Sequence, residues 1–161
     1  MVLYVKRRQE NKIKANKNNN IPKVKSDFFE PNDLLPVKSI SSIQLDYFKK
    51  ALDIAILSNL THKHGALLVY KNKIISVGYN YFEPYLNKSL SIHAEVSCIL
   101  NIKKNVRNIL SECYMYVIRL SPIEGVCKYS KPCDNCMNFI NKYNIKKVYY
   151  STNYEYDDLT N

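Results

Sequence analysis

From Ser41 onward the chain switches between two apolar rhythms. Between Ile43 and Leu57 apolar side chains recur three and four apart. Ile43, Tyr47, Ala51, Ile54 and Leu57 follow one line and Leu45, Phe48, Leu52 and Ile56 another, with Asp46, Lys49, Lys50 and Asp53 on a narrow polar stripe. That period is helical, and a helix apolar over most of its girth is expected to be largely buried. Ser41 and Gln44 stand at capping-box spacing, so the helix is predicted to start there and run to about Asn59. Two strands follow: Ala66-Leu67-Leu68-Val69-Tyr70 after Gly65, and the branched run from Lys73 to Tyr79, with Lys71-Asn72 between them suited to a tight hairpin turn. A loop of mixed aromatic and polar residues is expected from Asn80 to Leu90.

The helical rhythm returns from His93 to Lys104, where Glu95, Cys98, Ile99 and Ile102 share one face. A third strand is predicted at Cys113–Ile118, and a loop carrying Pro122 and Gly125 at 121–130. A third helix is predicted to begin near Pro132, with Cys136, Phe139, Ile140 and Tyr143 as its apolar stripe and Asn144 as a left-handed end cap. Lys147–Ser151 is the last strand. This order implies an α/β fold in which the third and fourth strands are parallel neighbours and helices cover both faces of the sheet.

Residues 6–39 lack such rhythm: the run Asn16-Lys17-Asn18-Asn19-Asn20 is polar, and Pro22, Pro31 and Pro36 interrupt any helix. The expected organisation is a basic, flexible N-terminal arm at 1–39, one domain at 40–153 and an acidic tail at 154–161, with Leu3-Tyr4-Val5 as a candidate edge strand. Of a formal charge of +10, half comes from residues 1–38, which hold nine Lys/Arg against four Asp/Glu. A basic arm suits nucleic acid or nucleotides. A/T-rich coding would also supply this Lys, Asn, Ile and Tyr bias without any partner. No apolar run is long enough to cross a bilayer, and Met1–Val5 is too short for a signal-peptide core, so a soluble, intracellular, cytoplasmic protein without a membrane partner is expected. An odd set of five cysteines (Cys98, Cys113, Cys127, Cys133 and Cys136) points to metal binding or burial rather than disulfides.

Two short stretches carry the chemistry: His93-Ala94-Glu95 and Pro132-Cys133-Asp134-Asn135-Cys136. Zinc favours nitrogen and sulfur ligands, and a catalytic zinc takes three from protein and leaves a position for water. His93, Cys133 and Cys136 supply that number, and cysteines on a first helical turn are stabilised as thiolates by the helix amides and dipole. Glu95 heads the face that Cys98, Ile99 and Ile102 bury, where a carboxylate is either costly or useful. A closed four-ligand zinc site with Cys127 added is the structural alternative, and it would leave Glu95 without a purpose. A redox pair would need a thioredoxin-like pattern, which is absent. Cys98 and Cys113 read as small core residues, His62 and His64 as surface or packing residues flanking the first strand. Tyr79, Tyr81, Phe82 and Tyr85 are aromatic enough to stack bases but are more often core.

The His-x-Glu and Pro-Cys-x-x-Cys stretches, with Gly65-Ala66, Gly78-Tyr79-Asn80 and Ile145-Lys146-Lys147-Val148-Tyr149-Tyr150, resemble the cytidine and deoxycytidylate deaminase superfamily over roughly residues 42–153. The resemblance implies a three-layer α/β/α, cytidine deaminase-like fold with a mixed sheet: a hairpin of the first two strands and a parallel third and fourth. It implies Zn2+ as cofactor on His93, Cys133 and Cys136, and hydrolytic removal of the cytosine amino group from a nucleoside or nucleotide. Glu95 would shuttle protons from the attacking water to the base and the departing ammonia. It implies Asn80 as a contact to sugar or base, the Ala94 amide as a donor to the base carbonyl, and assembly as a homo-oligomer.

Three features depart from that pattern. Tyr81-Phe82-Glu83-Pro84 stands where free-nucleotide deaminases have a glycine-rich phosphate loop. The 121–130 loop is longer than the link in tRNA adenosine deaminases. The family's fifth strand and last helix are expected to be missing or replaced, by residues 2–5 or a neighbouring subunit. Two other functions stay open: editing of RNA or single-stranded DNA, tRNA adenosine included, and a non-catalytic zinc-binding module.

Overall fold

The computed structural model of the chain describes residues 3–6, 41–83, 90–121 and 127–151. Of the arm expected at 1–39, residues 7–39 lie outside the described residues, and so does the acidic tail. In chain order the elements are β1 (Leu3–Lys6), α1 (Ser42–Ile56), β2 (Lys63–Tyr70), β3 (Lys73–Tyr79), β4 (Tyr81–Phe82) and β5 (Ser91–Ile92). Then come α2 (Ala94–Leu100), a 3-10 segment (Lys104–Glu112), β6 (Tyr114–Leu120), β7 (Cys127–Lys128), α3 (Asp134–Lys142) and β8 (Lys147–Ser151). The main sheet has the order β1-β8-β6-β2-β3, with β7 attached to β6.

The hairpin forms where it was expected. Lys71 and Asn72 both take positive φ, 45° and 63°, the pair of left-handed residues that a two-residue turn between right-twisted strands requires. β2 then pairs antiparallel with β6, and β6 pairs parallel with β8. β1 lies antiparallel to β8, Leu3 opposite Ser151 and Lys6 opposite Val148, so the edge strand expected at residues 3–5 is present. Strand side chains alternate between faces, and the two cores divide accordingly. Leu67, Val69, Tyr116, Ile118 and Tyr149 pack under α1 with Tyr47, Phe48, Ala51 and Ala55. Ala66, Leu68, Met115, Val117, Val148 and Tyr150 pack on the opposite side with Ala94, Cys98 and Ile99 of α2 and Ile140 of α3. The result is a helix–sheet–helix sandwich of three layers.

Several boundaries differ from the sequence expectation. The capping box on α1 is complete: the Ser41 hydroxyl accepts from the Gln44 amide at 3.3 Å, and Gln44 Oε1 accepts from the Ser41 amide at 3.2 Å. But α1 ends at Ile56 rather than near Asn59, and it is not buried over most of its girth. Ile43, Leu45, Ile56 and Leu57 are 43, 39, 55 and 60% exposed, because the sheet meets only the Tyr47-Phe48-Ala51-Ala55 face between the two apolar lines and leaves the ends of both uncovered. The helix expected at His93–Lys104 stops at Leu100, where the Asn101 side chain donates to the Val77 carbonyl at 2.9 Å, and a 3-10 segment replaces its end. The loops expected at 80–90 and 121–130 contain the two-residue strands β4 and β7, and β4 pairs with the equally short β5 just after the first loop.

Two glycines set how closely helices approach the sheet. A Cβ on Gly65 would lie 2.1 Å from the Ala51 carbonyl oxygen, and one on Gly78 would lie 2.3 Å from the Cys98 amide nitrogen and 2.7 Å from the Ala94 carbonyl oxygen. Those atoms are backbone and cannot turn aside, so Gly78→Ala has to lift α2 off β3. We expect a loss of about 1–3 kcal/mol of stability or more, read as a fall in melting temperature. Because α2 starts at His93 and carries Glu95, zinc affinity should fall with it. A melting curve unchanged from wild type would show the contact to be softer than the packing implies.

Candidate metal centre

Two chain segments converge at the N-terminal ends of α2 and α3. His93 is the N-cap of α2 and Cys133 the N-cap of α3, both with extended backbone, and Cys136 lies on the first turn of α3. Pro132 therefore precedes the cap and does not occupy the first helical position expected for it. Asp134 starts the helix, and the Met137 amide closes its first turn on the Cys133 carbonyl at 2.8 Å. Neither His93 nor Cys133 spends its side chain as a cap, which leaves both side chains for other work.

His93 Nδ1 lies 3.6 Å from Cys133 Sγ and 3.2 Å from Cys136 Sγ, and the three ligand atoms all fall within 4.8 Å of one another. A tetrahedral zinc with bonds of about 2.0–2.3 Å would hold nitrogen and sulfur about 3.6 Å apart and two sulfurs about 3.8 Å apart. The donor set fits that ion. Cys127, half-buried on β7, is not among the grouped ligands, so the four-ligand closed site does not form among the described residues. Three protein ligands is the count of an open, catalytic zinc. Burial, and then the negative charge of Glu95, push the Cys136 thiol up, and a dication between the ligands would supply the charge a thiolate needs there.

Glu95 is the second residue of α2 and only 5% exposed. Burial pushes its carboxyl up from the ordinary range, while its own backbone amide, the His93 charge and a hydrogen bond with Cys136 pull the other way. A carboxyl held this way, within reach of a metal ligand yet outside the ligand group, can hold and release a proton. Ala94, fully buried, opens α2, so its amide has no partner within the helix.

Asn80 does something the sequence did not show. Its Oδ1 accepts from the His64 amide at 2.7 Å and its Nδ2 donates to the His62 carbonyl at 2.7 Å. The Ser58 hydroxyl donates to the Asn80 carbonyl at 2.7 Å. Asn80 thus clamps the chain entering β2, and one side-chain N–H remains for other use. The signal was long-range and absent from local pattern, since the partners lie sixteen to twenty-two residues apart. Tyr79 and Tyr81 meet edge to face at 6.0 Å, and Phe82 is 49% exposed; Tyr85 lies outside the described residues. Cys98 and Cys113 are buried core residues, as expected.

The sequence model of the cytidine and deoxycytidylate deaminase zinc-binding region matches residues 41–152. Among solved structures the chain is similar to the dCMP deaminase of the cyanophage S-TIM5 in apo form, with 22% identity over 71% of this chain and 86% of that one and a TM-score of 0.52. Two further similarities are weaker: the same cyanophage enzyme in complex with dCMP and dUMP (22% identity, 70% and 83% covered, TM-score 0.49), and a mutant cytidine deaminase from Mycobacterium tuberculosis (12%, 65% and 81%, 0.45). A search of curated proteins finds no match. Among the described residues no helix is long and apolar enough to cross a membrane.

Proposed function

The chain belongs to the cytidine and deoxycytidylate deaminase family of zinc-dependent hydrolases, and on that premise we propose that it removes the amino group of cytosine in a nucleoside or nucleotide, with Glu95 moving the protons. The observation that carries this reading is the pairing on α2 of a metal ligand at the cap and a buried carboxyl two residues on. A zinc module that only binds partners has no need of such a costly acid.

His93, Cys133 and Cys136 would hold the zinc. When bound, zinc lowers the pKa of a coordinated water toward neutrality and so supplies a nucleophile at neutral pH. Glu95 accepts the proton that the attacking water gives up and passes it to the ring nitrogen beside the amino-bearing carbon. As the carbon gains oxygen and the amino group leaves, Glu95 takes the second proton and delivers it to the departing nitrogen. Ammonia and uracil are the products, and the carboxyl ends in its starting state. A raised proton affinity suits both halves of that cycle, because acceptor and donor pKa values need to lie near the working pH. By resemblance, the free amide of Ala94 donates to the base carbonyl, and the remaining N–H of Asn80 meets the sugar or base. Assembly as a homo-oligomer belongs to the same reading, and light scattering on the purified chain checks it.

The basic surplus in residues 1–38 favours a second reading, deamination within a nucleic-acid strand. Ammonia release and the ultraviolet change on free cytidine and deoxycytidylate, compared with sequencing of treated single strands, separates the two. The first reading predicts turnover of a free nucleoside or nucleotide, and editing confined to strands would replace it with the second.

A further inference from the structure

Arg119 is a cation that the described residues leave without a counter-ion. The ion pairs among them, Lys49–Asp46 and Lys50–Asp53, both sit on α1. Arg119 stands on β6 directly opposite His64 on β2. Met115 and Val117 face α2 and α3, so the two-residue period puts Arg119 on that same face. Ala66 and Leu68 place His64 there likewise. This is the side of the sheet on which His93, Cys133 and Cys136 meet, and His64 lies in electrostatic range of both Arg119 and His93.

The surroundings of Arg119 are built rather than loose. Its Nη2 lies 3.2 Å from His62 Nδ1, and since a guanidinium only donates, that ring nitrogen accepts. His64 Nδ1 lies 3.2 Å from the His62 carbonyl oxygen. Asn80 holds both residues through their backbone. Burial first, and the Arg119 charge after it, push His64 down to about 4, so it adds no positive charge at neutral pH. The Nε of Arg119 is buried and has no hydrogen-bond partner among the described residues. A half-buried cation with an unmet donor is unfavourable unless an acceptor completes it, and an anionic acceptor also meets the charge. A guanidinium offers adjacent N–H groups that match the oxygens of a phosphoryl group.

We propose that Arg119, braced by His62 and the Asn80 clamp, binds the phosphoryl group of the substrate, so that the protein acts on phosphorylated cytosine nucleosides in preference to free ones. This rests on the deaminase reading of the metal centre. Without a phosphoryl group the buried Nε donor stays unpaired, and sites of that kind discriminate strongly against ligands that lack the partner.

The test compares kcat/KM for deoxycytidylate, cytidine and a single-stranded oligonucleotide with one cytosine, in wild type, Arg119→Ala and Arg119→Lys. The ratio of phosphorylated substrate to cytidine is expected to favour the phosphorylated substrate in wild type. It should fall about tenfold to a hundredfold in Arg119→Ala and by less in Arg119→Lys. A strand turned over in place of the mononucleotide, with the same Arg119 dependence, assigns the phosphoryl group to a phosphodiester. A ratio unchanged by Arg119→Ala overturns the proposal. Calorimetry of wild type with uridylate and uridine keeps the question answerable should the variants not fold. Uridylate is expected to bind more tightly, the gap closing as salt rises, and equal binding rejects the subsite. Failure of every cytosine substrate to turn over, with a persistent preference for uridylate, would sink the deaminase reading and leave the phosphoryl site standing.

Discussion

Replacing Glu95 by glutamine is expected to cut turnover of a cytosine substrate by about a hundredfold to ten-thousandfold, the range that one positioned acid–base group contributes, while zinc content stays at one per chain. Glutamine keeps the shape and hydrogen-bonding capacity but cannot carry a proton between water, ring and leaving group. The same change should not weaken the fold. Burial raises the Glu95 carboxyl above its unfolded value, so its ionised form opposes folding: the contribution is favourable at low pH and is lost as pH rises through the raised folded pKa. In metal-free protein at neutral pH, Glu95→Gln is therefore expected to melt at or above the wild-type temperature, with the gap narrowing as pH falls and the wild-type carboxyl protonates. Titration of activity, metal content and melting together checks this. A variant that turns over like wild type would move the chemistry to another residue, and one that loses zinc would make Glu95 a structural partner of the ligands.

The second large effect is expected from Cys133→Ser. Residues that merely orient metal ligands cost tenfold to a hundredfold in affinity when removed, so loss of a sulfur that lies 3.6 Å from His93 Nδ1 should cost more than about a hundredfold. Zinc binds the folded ligand cluster and not the dispersed one, so stability follows: a metal held at about a thousand times its dissociation constant adds about 4 kcal/mol. For a domain of this size that is a melting temperature lower by about 10 °C in the variant than in zinc-loaded wild type. Metal analysis after dialysis, with melting curves run with and without chelator, reads both. Full zinc retention in Cys133→Ser would mean that the ion, if bound, sits elsewhere. A chelator that lowers the melting point of wild type but not of the variant is the pattern expected here.

These effects depend on features that were visible in the sequence to different degrees. The candidate ligand group was visible because its chemistry is local: two cysteines a helical turn apart after a proline, and a histidine two residues before an acid, each where a helix starts. The hairpin was visible because Lys71-Asn72 interrupts two branched runs at a length that only a tight turn fits. The burial of α1 was not. Apolar residues lie on two lines around it, and nothing in the helix alone says that the sheet meets Tyr47, Phe48, Ala51 and Ala55 and leaves Ile43, Leu45, Ile56 and Leu57 more than a third exposed. The stop of α2 at Leu100 depends on a bond from Asn101 to Val77 of another element. Strands of two residues, such as β4, β5 and β7, carry too few positions for any period to register. The clamp at Asn80 and the unmet donor of Arg119 are likewise tertiary, since both come from strands brought side by side from distant parts of the chain.

The most direct measurement is a substrate panel on purified, zinc-loaded protein, following ammonia release and the ultraviolet change for cytidine, cytidylate and deoxycytidylate. The account predicts equimolar ammonia and uracil product from at least one of them, with turnover abolished by chelator and restored by zinc. Zinc-replete, folded protein that releases no ammonia from any of the three would contradict it.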